Sequence, residues 1–383
     1  MIYGLAMVAN FRKNLAISAI LAVSTAFSAS IGAAPTLKVG IYLPMSGGTA
    51  TFGADVYAGM KMAVDEINKA GKVKIQAVVE DEKSEPTDAA NAVKKLINID
   101  KVNIVLGSVA SSNTNAAAPI AQAAKIPLMT PASTNPNVTK NGEYISRICF
   151  IDDFQGAALA KFAKEELKAT KAAIVLDSAS DYSQGLAAAF RKAFKAGGGT
   201  IVTEVSYQAK DQDFSSQLTK IRTKAPEVIF VPGYYTEVGN MMRQAAKLKV
   251  KGVFMGGDGW SSSKLAELAG DAIEGHYYSA HFSHEDTDPA VQSFVKKFKA
   301  LNKTAPSDMS ALGYDAIYFS LDVFKRNGFK VDAEGLKNAI NTTKNYAGIT
   351  GSITLDAERN ATKPLVILST HKGGDKFKQR VQP

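Results

Sequence analysis

The sequence predicts an α/β protein made of two doubly wound parallel-sheet domains. Three observations carry this reading. Short apolar runs of strand length alternate with longer segments whose apolar residues recur every three or four positions. The alternation starts near Leu37 and begins afresh after Asp153. The chain has 383 residues, which at roughly 100–200 residues per domain allows two or three domains. Strands that alternate with helices form parallel sheets covered on both faces.

The elements follow in order. Leu37–Leu43 is a short apolar run stopped by Pro44 and reads as a strand. Asp55–Asn68 sets Val56, Met60, Ala63, Val64 and Ile67 on one helical face. Lys74–Glu80 is a second strand, and Pro86–Ile99 a helix with its proline in the first turn. Val102–Leu106, a helix through Ala124, and Ile126–Thr130 complete the first series. The second series has strands at Ala172–Leu176, Thr200–Ser206, Val228–Val231 and Gly252–Met255, with helices between them. The later chain reads as helical over Pro289–Leu301, Met309–Asn327 and Ala333–Asn341.

Composition excludes several function classes. Hydrophobic residues make up 46% and charged residues 21%, ordinary for a globular protein and unlike a disordered, collagenous or coiled-coil chain. The single cysteine, Cys149, rules out an intrachain disulfide and a cysteine-based zinc site. It sits in an apolar run and reads as a buried structural thiol. The net charge of +9 comes from lysines scattered among acids. A nucleic-acid surface would cluster them, so no nucleic-acid partner is expected.

The first 33 residues read as a signal peptide. Arg12 and Lys13 form a basic start, Leu15–Phe27 an apolar stretch of 13 residues, and small residues follow through Ala34. A spanning helix needs about 20 apolar residues. No cysteine lies near the cleavage region, so a lipid anchor is not expected. The expected location is the periplasm.

In doubly wound sheets, ligands bind beyond the carboxyl ends of the strands, so the loops there are the informative ones. Met45–Gly53 carries glycines and an aromatic, Phe52, but no Gly-Lys-Ser/Thr phosphate cradle. Gly107–Thr114 (GSVASSNT) offers hydroxyls and free N–H groups where a helix opens, which suits a carboxylate. Thr130–Thr134 (TPAST) is again hydroxyl-rich and uncharged. Gly256–Trp260 (GGDGW) sets Asp258 between glycines, beside the only tryptophan. It reads either as a surface turn or as the partner that a desolvated ammonium requires.

Taken together, these stretches resemble the leucine/isoleucine/valine-binding family of periplasmic substrate-binding proteins that serve ABC transporters. The resemblance runs from KVGIYLPMSGGTATFG through GSVASSNT, MTPASTNP, DSASDYSQGLAAAF, VPGYYTEVG and FMGGDGW to YAGITGSITLDAERN. It implies two lobes of the type I periplasmic binding protein fold, joined by a hinge, with the ligand in the cleft between them. Residues 36–153 plus 283–352 would form the N-terminal lobe, and residues 154–282 plus 353–383 the C-terminal lobe.

By position, Ser111 and Thr134 would hold a ligand carboxylate. Ala132 would offer backbone contacts, and Phe52 and Ala110 would line the wall. Tyr182 and Tyr234 would cover the ligand, Asp258 would pair with its ammonium, and Met309 would stand at the apolar wall. Three departures bear on specificity. The chain cannot form the first-lobe disulfide of some relatives, Asp258 is shorter than the glutamate of others, and Met309 is more adaptable than an aromatic.

Enzyme readings find no constellation. His281, His284 and Asp286 lie in a short stretch that is not HExxH on a helix, and Ser183 is not in a G-x-S-x-G elbow. The expectation is therefore a monomeric receptor, with no cofactor or metal. It would bind an amino acid, branched and aliphatic, and deliver it to inner-membrane permease subunits. The alternative is a receptor or sensor for an amide, a urea or an aromatic acid. The signal peptide predicts that protein recovered from the periplasm lacks about 30–33 N-terminal residues. Intact-mass measurement checks this, and a full-length mass retained in membranes would reject it.

Overall fold

A computed structural model describes residues 34–383; the expected signal peptide lies outside the described residues. The first series runs β1 (Thr36–Leu43), α1 (Ala50–Ala70), β2 (Lys74–Asp81), α2 (Pro86–Asn98), β3 (Ile104–Gly107), α3 (Ser111–Ala124), β4 (Leu128–Thr130), α4 (Asn137–Lys140) and β5 (Ile145–Arg147). Its strands form one parallel sheet in the order β2-β1-β3-β4-β5. β1 is buried on both faces after its first residues, as a central parallel strand must be. α2 buries Ala89, Ala92, Val93, Leu96 and Ile97, the stripe its spacing specifies.

The second series repeats the plan. It runs α5 (Asp152–Glu165), β6 (Lys171–Asp177), α6 (Asp181–Ala196), β7 (Thr200–Tyr207), α7 (Ser215–Lys224), β8 (Val228–Phe230), α8 (Tyr235–Lys247), β9 (Val253–Gly256), α9 (Ser263–Ala269) and β10 (Tyr277–Ala280). The parallel part of this sheet has the order β7-β6-β8-β9-β10, the same winding as the first.

The chain then returns to the first sheet's helices with α10 (Pro289–Asn302), α11 (Asp308–Arg326) and α12 (Ala333–Asn341). A small antiparallel sheet follows, made of β11 (Tyr346–Gly348), β12 (Gly351–Leu355) and β13 (Ala361–Thr362). β14 (Leu365–Ser369) and β15 (Lys376–Val381) then extend the second sheet antiparallel. These late strands are absent from the sequence reading, and the second sheet is mixed rather than wholly parallel. Tertiary pairing supplies them: Val366–Ser369 bond along β10, where an edge was open.

One expected boundary is corrected. α1 begins at Ala50, not Asp55, so Phe52 lies in the first helical turn rather than at a loop tip. The turn before it is tied down from β2 and the residues just after it. Asp81 Oδ1 accepts the N–H groups of Met45 and Ser46, and Ser84 Oγ accepts that of Thr49. The helix can therefore start early.

α1 and α11 pack closely through two glycines. A Cβ on Gly59 would lie 1.9 Å from the Ser310 carbonyl oxygen, and one on Gly313 would lie 2.1 Å from that of Val56. Both obstacles are backbone, so the helices would have to separate. Gly59→Ala is expected to destabilise the fold by about 1–3 kcal/mol, the scale of overpacking. Chemical denaturation read by circular dichroism checks this.

Candidate functional site

Each sheet changes winding direction once on its parallel side, between β1 and β3 in the first and between β6 and β8 in the second. A crevice opens at such a switch point, beyond the carboxyl ends of the strands. The loops from both switch points meet. After β1 and β3 come the segments carrying Phe52 and Ser111; after β6 and β8 come those carrying Tyr182 and Tyr234.

The meeting is closed by hydrogen bonds between the two sheet systems. Asp181, at the start of α6, is the centre of one group. Its N–H donates to Ser112 Oγ at 3.0 Å, its Oδ2 accepts Asn115 Nδ2 at 2.8 Å, and its carbonyl accepts Asn135 Nδ2 at 2.6 Å. At the start of α1, Thr51 N–H donates to the Tyr235 hydroxyl at 3.2 Å, and Thr236 Oγ1 donates to the Gly48 carbonyl at 2.9 Å. Ser261 Oγ bonds Asp308 at the start of α11. A cavity of about 270 Å³ remains between the two sides, lined by Ala110, Ser112 and Asn113 on one and by Asp177, Ser180 and Tyr234 on the other.

Of the sequence-predicted residues, Phe52, Tyr182, Tyr234 and the Asp258 turn are in direct contact. Tyr182 stacks on Tyr234, ring centres 5.3 Å apart, and Phe52 meets Tyr234 edge-on at 6.1 Å. The Tyr182 hydroxyl accepts the N–H of Gly259 at 3.0 Å, which ties the aromatic pair to the Asp258 turn. That turn is a single buried 3-10 turn, Asp258–Trp260, not a surface loop. Its glycines are required by packing: a Cβ on Gly257 would lie 2.5 Å from the Tyr182 hydroxyl, and one on Gly259 would lie 2.6 Å from the Gly233 carbonyl.

Ser111 opens α3 behind an extended Ala110, which has no side-chain cap. The N–H groups of the first turn therefore have no side-chain cap, and the helix dipole there favours an anion. Ser111 Oγ accepts the Asn135 N–H at 3.2 Å and keeps its own proton to donate. Ala132 lies in the loop after β4, its N–H bonded to Thr130 Oγ1 at 3.3 Å. The buried Thr134 hydroxyl lies against the Asp152 carboxyl. Met309 shares a buried hydrophobic cluster with Phe52 and Ala132. It is buried in the first turn of α11, and it is its neighbour Asp308 that bonds across to Ser261 and to the His281 N–H.

Residues missed by the sequence reading surround Asp258, which is only 3% exposed. Its Oδ1 accepts Gln155 Nε2 at 3.1 Å and its Oδ2 lies 3.1 Å from His281 Nε2. His281 stacks on Phe150 at 3.9 Å. Gln155 Nε2 also donates to Asp152 Oδ1 at 2.8 Å, which joins the two carboxylates. Burial, opposed in part by the Thr134 hydroxyl, pushes the Asp152 carboxyl up to about 8. The available signal was the pair Asp152-Asp153 opening a helix directly after an apolar run. Cys149 is buried beside these groups, and burial pushes its thiol up to about 12, which leaves it inert.

Comparison with known proteins gives a consistent result. Residues 36–375 match the model of the periplasmic binding protein family. The chain belongs to the periplasmic binding protein family. It is 30% identical over 329 residues to the leucine-, isoleucine-, valine-, threonine- and alanine-binding protein of Pseudomonas aeruginosa, covering 85% of this chain and 87% of that one. The crystal structure of a leucine-binding protein from Thermotoga maritima superposes with a TM-score of 0.87 at 37% identity, over 91% of this chain and 99% of that one. A solute-binding protein of an ABC transporter from Rhodopseudomonas palustris, solved with 3,4-dihydroxybenzoic acid, superposes with a TM-score of 0.80 at 27% identity, over 91% and 97%. Membership places this chain among binding proteins, not enzymes.

Glu82 shows how this periplasmic binding protein supports its β3–α3 loop. Fully buried, it accepts Ser108 Oγ at 2.6 Å and Asn113 Nδ2 at 2.8 Å through Oε1, while Oε2 has no partner. Burial pushes its carboxyl from the ordinary 4.5 up to about 8. The folded state therefore holds a proton that the unfolded state has lost, and stability falls as pH rises through this window. Glu82→Gln keeps both acceptor contacts and removes the charge. It is expected to match wild type near pH 5 and to exceed it at pH 9 by about 1–3 kcal/mol, the cost of an unsatisfied buried polar group. Denaturation of both proteins at the two pH values checks this.

Proposed function

We propose that this protein captures an amino acid with an aliphatic, branched side chain in the interlobe cleft and delivers it to an inner-membrane ABC transporter from the periplasm. The observation that carries the reading is the pairing of opposite electrostatics within one buried group. The open first turn of α3, with Ser111, and the nearby Thr134 hydroxyl suit a carboxylate. Asp258, bonded within the same group, suits an ammonium. A zwitterion needs both ends met, because an unpaired charge in a closed cleft is costly. The uncharged Phe52, Ala110, Tyr182 and Tyr234 suit an apolar side chain between them. The amino-acid-binding relatives support the same ligand class.

The mechanism is differential stabilisation of a closed state. Residues 36–153 plus 283–352 act as one lobe, and 154–282 plus 353–383 as the other. A ligand bridging Ser111 and Thr134 on one lobe to Asp258 on the other favours closure by its contacts to both. A second reading, an aromatic carboxylic acid as ligand, is favoured by the stacked Tyr182–Tyr234 pair and by the relative solved with dihydroxybenzoic acid.

Titration calorimetry separates the two. Asp258→Asn keeps the shape and removes the charge, and truncating one partner of a buried charge pair costs about 2–5 kcal/mol. Leucine affinity is expected to fall about 30-fold to several thousand-fold. The deaminated analogue 4-methylpentanoate should lose little further. Wild-type protein that binds 3,4-dihydroxybenzoate and ignores leucine would replace the amino-acid reading with the aromatic one.

A further inference from the structure

The side chain that holds Asp258 in place comes from the strand beside it. β10 runs parallel to β9 with Tyr278 opposite Gly256, so the segments that follow the two strands leave the sheet together. Asp258 stands two residues after β9, and His281 directly follows β10. The His281 ring is fully buried, and its Nε2 lies 3.1 Å from Asp258 Oδ2. An ionised carboxylate only accepts, so Nε2 carries the proton of this bond. Ser279, two positions earlier, supports the same turn from the same strand. Its Oγ donates to Gln155 Oε1, and Gln155 Nε2 donates to Asp258 Oδ1 at 3.1 Å.

The imidazole is itself anchored by groups other than Asp258. It stacks on Phe150, ring centres 3.9 Å apart and planes inclined by 21°. The His281 N–H donates to Asp308 Oδ2 at 3.1 Å, where α11 begins. Nδ1 is buried and makes no hydrogen bond. Among the described residues, the bond to Asp258 is thus the ring's one polar commitment. Backbone and ring face are fixed independently, so the place of Nε2 does not depend on Asp258. The imidazole is the fixed member of the pair, and the carboxylate is the member it orients.

We infer that His281 is a positioning residue: its Nε2–H fixes the Asp258 carboxylate so that the unused lone pairs face a ligand's ammonium. The inference rests on the amino-acid reading of the cleft. A carboxylate has about four acceptor sites, and Gln155 and His281 occupy one each. His281 acts through Asp258 and makes no contact with the ligand. A carboxylate already held in place loses less freedom on binding than one the ligand must order. The opposite sign has an equally definite meaning. An imidazole that competed with the ammonium for Asp258 would weaken binding, and its removal would strengthen it.

The test titrates leucine into the mature protein as wild type, His281→Phe, His281→Gln, Asp258→Asn and the double variant carrying His281→Phe and Asp258→Asn. Phenylalanine keeps a ring to stack on Phe150 and removes the donor. Glutamine offers an amide N–H near the reach of Nε2. His281→Asn, whose amide is too short, repeats the removal in case the phenylalanine variant does not fold, and thermal melts report folding. His281→Phe is expected to weaken leucine about 10-fold, the scale of one hydrogen bond to a charged group. His281→Gln should bind leucine close to wild type. In the Asp258→Asn background the same His281→Phe change should cost less than about twofold, because its effect runs through the carboxylate. A merely structural role predicts equal losses in both backgrounds, and that result overturns the inference. So does wild-type or tighter leucine binding by His281→Phe, or a His281→Gln protein no better than His281→Phe. Leucine binding weakened by Asp258→Asn but not by His281→Phe overturns this inference alone. Wild-type protein that binds no amino acid overturns the amino-acid reading together with it, as does an Asp258→Asn protein that binds leucine like wild type.

Discussion

Everything in the site depends on one constraint: polar loops at the carboxyl ends of two parallel sheets must be buried against each other. A parallel strand ends in a loop that cannot pair further, so its polar groups need partners from elsewhere. Here the partners come from the opposite lobe. Asp181 takes hydrogen bonds from Asn115 and Asn135 and gives its N–H to Ser112. Asp308 takes Ser261 and the His281 N–H. The net value of such a hydrogen bond is small, roughly 0.5–1.5 kcal/mol, so a handful of them holds the two sides together only modestly.

Gln155 occupies the middle of this arrangement. Its amide nitrogen holds Asp152 and Asp258, and its oxygen accepts Ser279 Oγ at 2.8 Å. One side chain therefore links the start of α5, the Asp258 turn and β10. Two ionised carboxylates so close would repel each other, and burial favours the protonated form of Asp152, which removes that repulsion. Glu82 plays the corresponding part under the β3–α3 loop, where a buried acid bonds Ser108 and Asn113 and so shapes the helix start that faces the cleft.

Much of this was legible in the chain. The β1 and α2 segments carry apolar patterns with one interpretation each, and the two strand–helix series are visible as repeated rhythm. Ser111, Thr134, Tyr182, Tyr234 and Asp258 lie directly after strands or at helix starts, where winding places ligand sites, and the structure joins them. Phe52 reads as a loop residue in the sequence and lies in a helix in the structure, because the bonds from Asp81 and Ser84 that let α1 begin early are long-range. Gln155 and His281 carry no local signal. A glutamine on a helix and a histidine after a strand become partners of Asp258 only when residues more than a hundred and more than twenty positions away are brought to it.

The sequence by itself determined the winding, because hydrophobic period and strand length are local properties that any stretch of the chain displays. It also determined which loops could meet a ligand, since parallel strands leave their carboxyl ends free. Only the tertiary structure decided what those loops contain when closed. Whether Asp258 is free or already bonded, and whether Leu365–Ser369 is a strand, both depend on contacts between distant segments. Those contacts are set by how two separately wound sheets pack, and no local pattern encodes them.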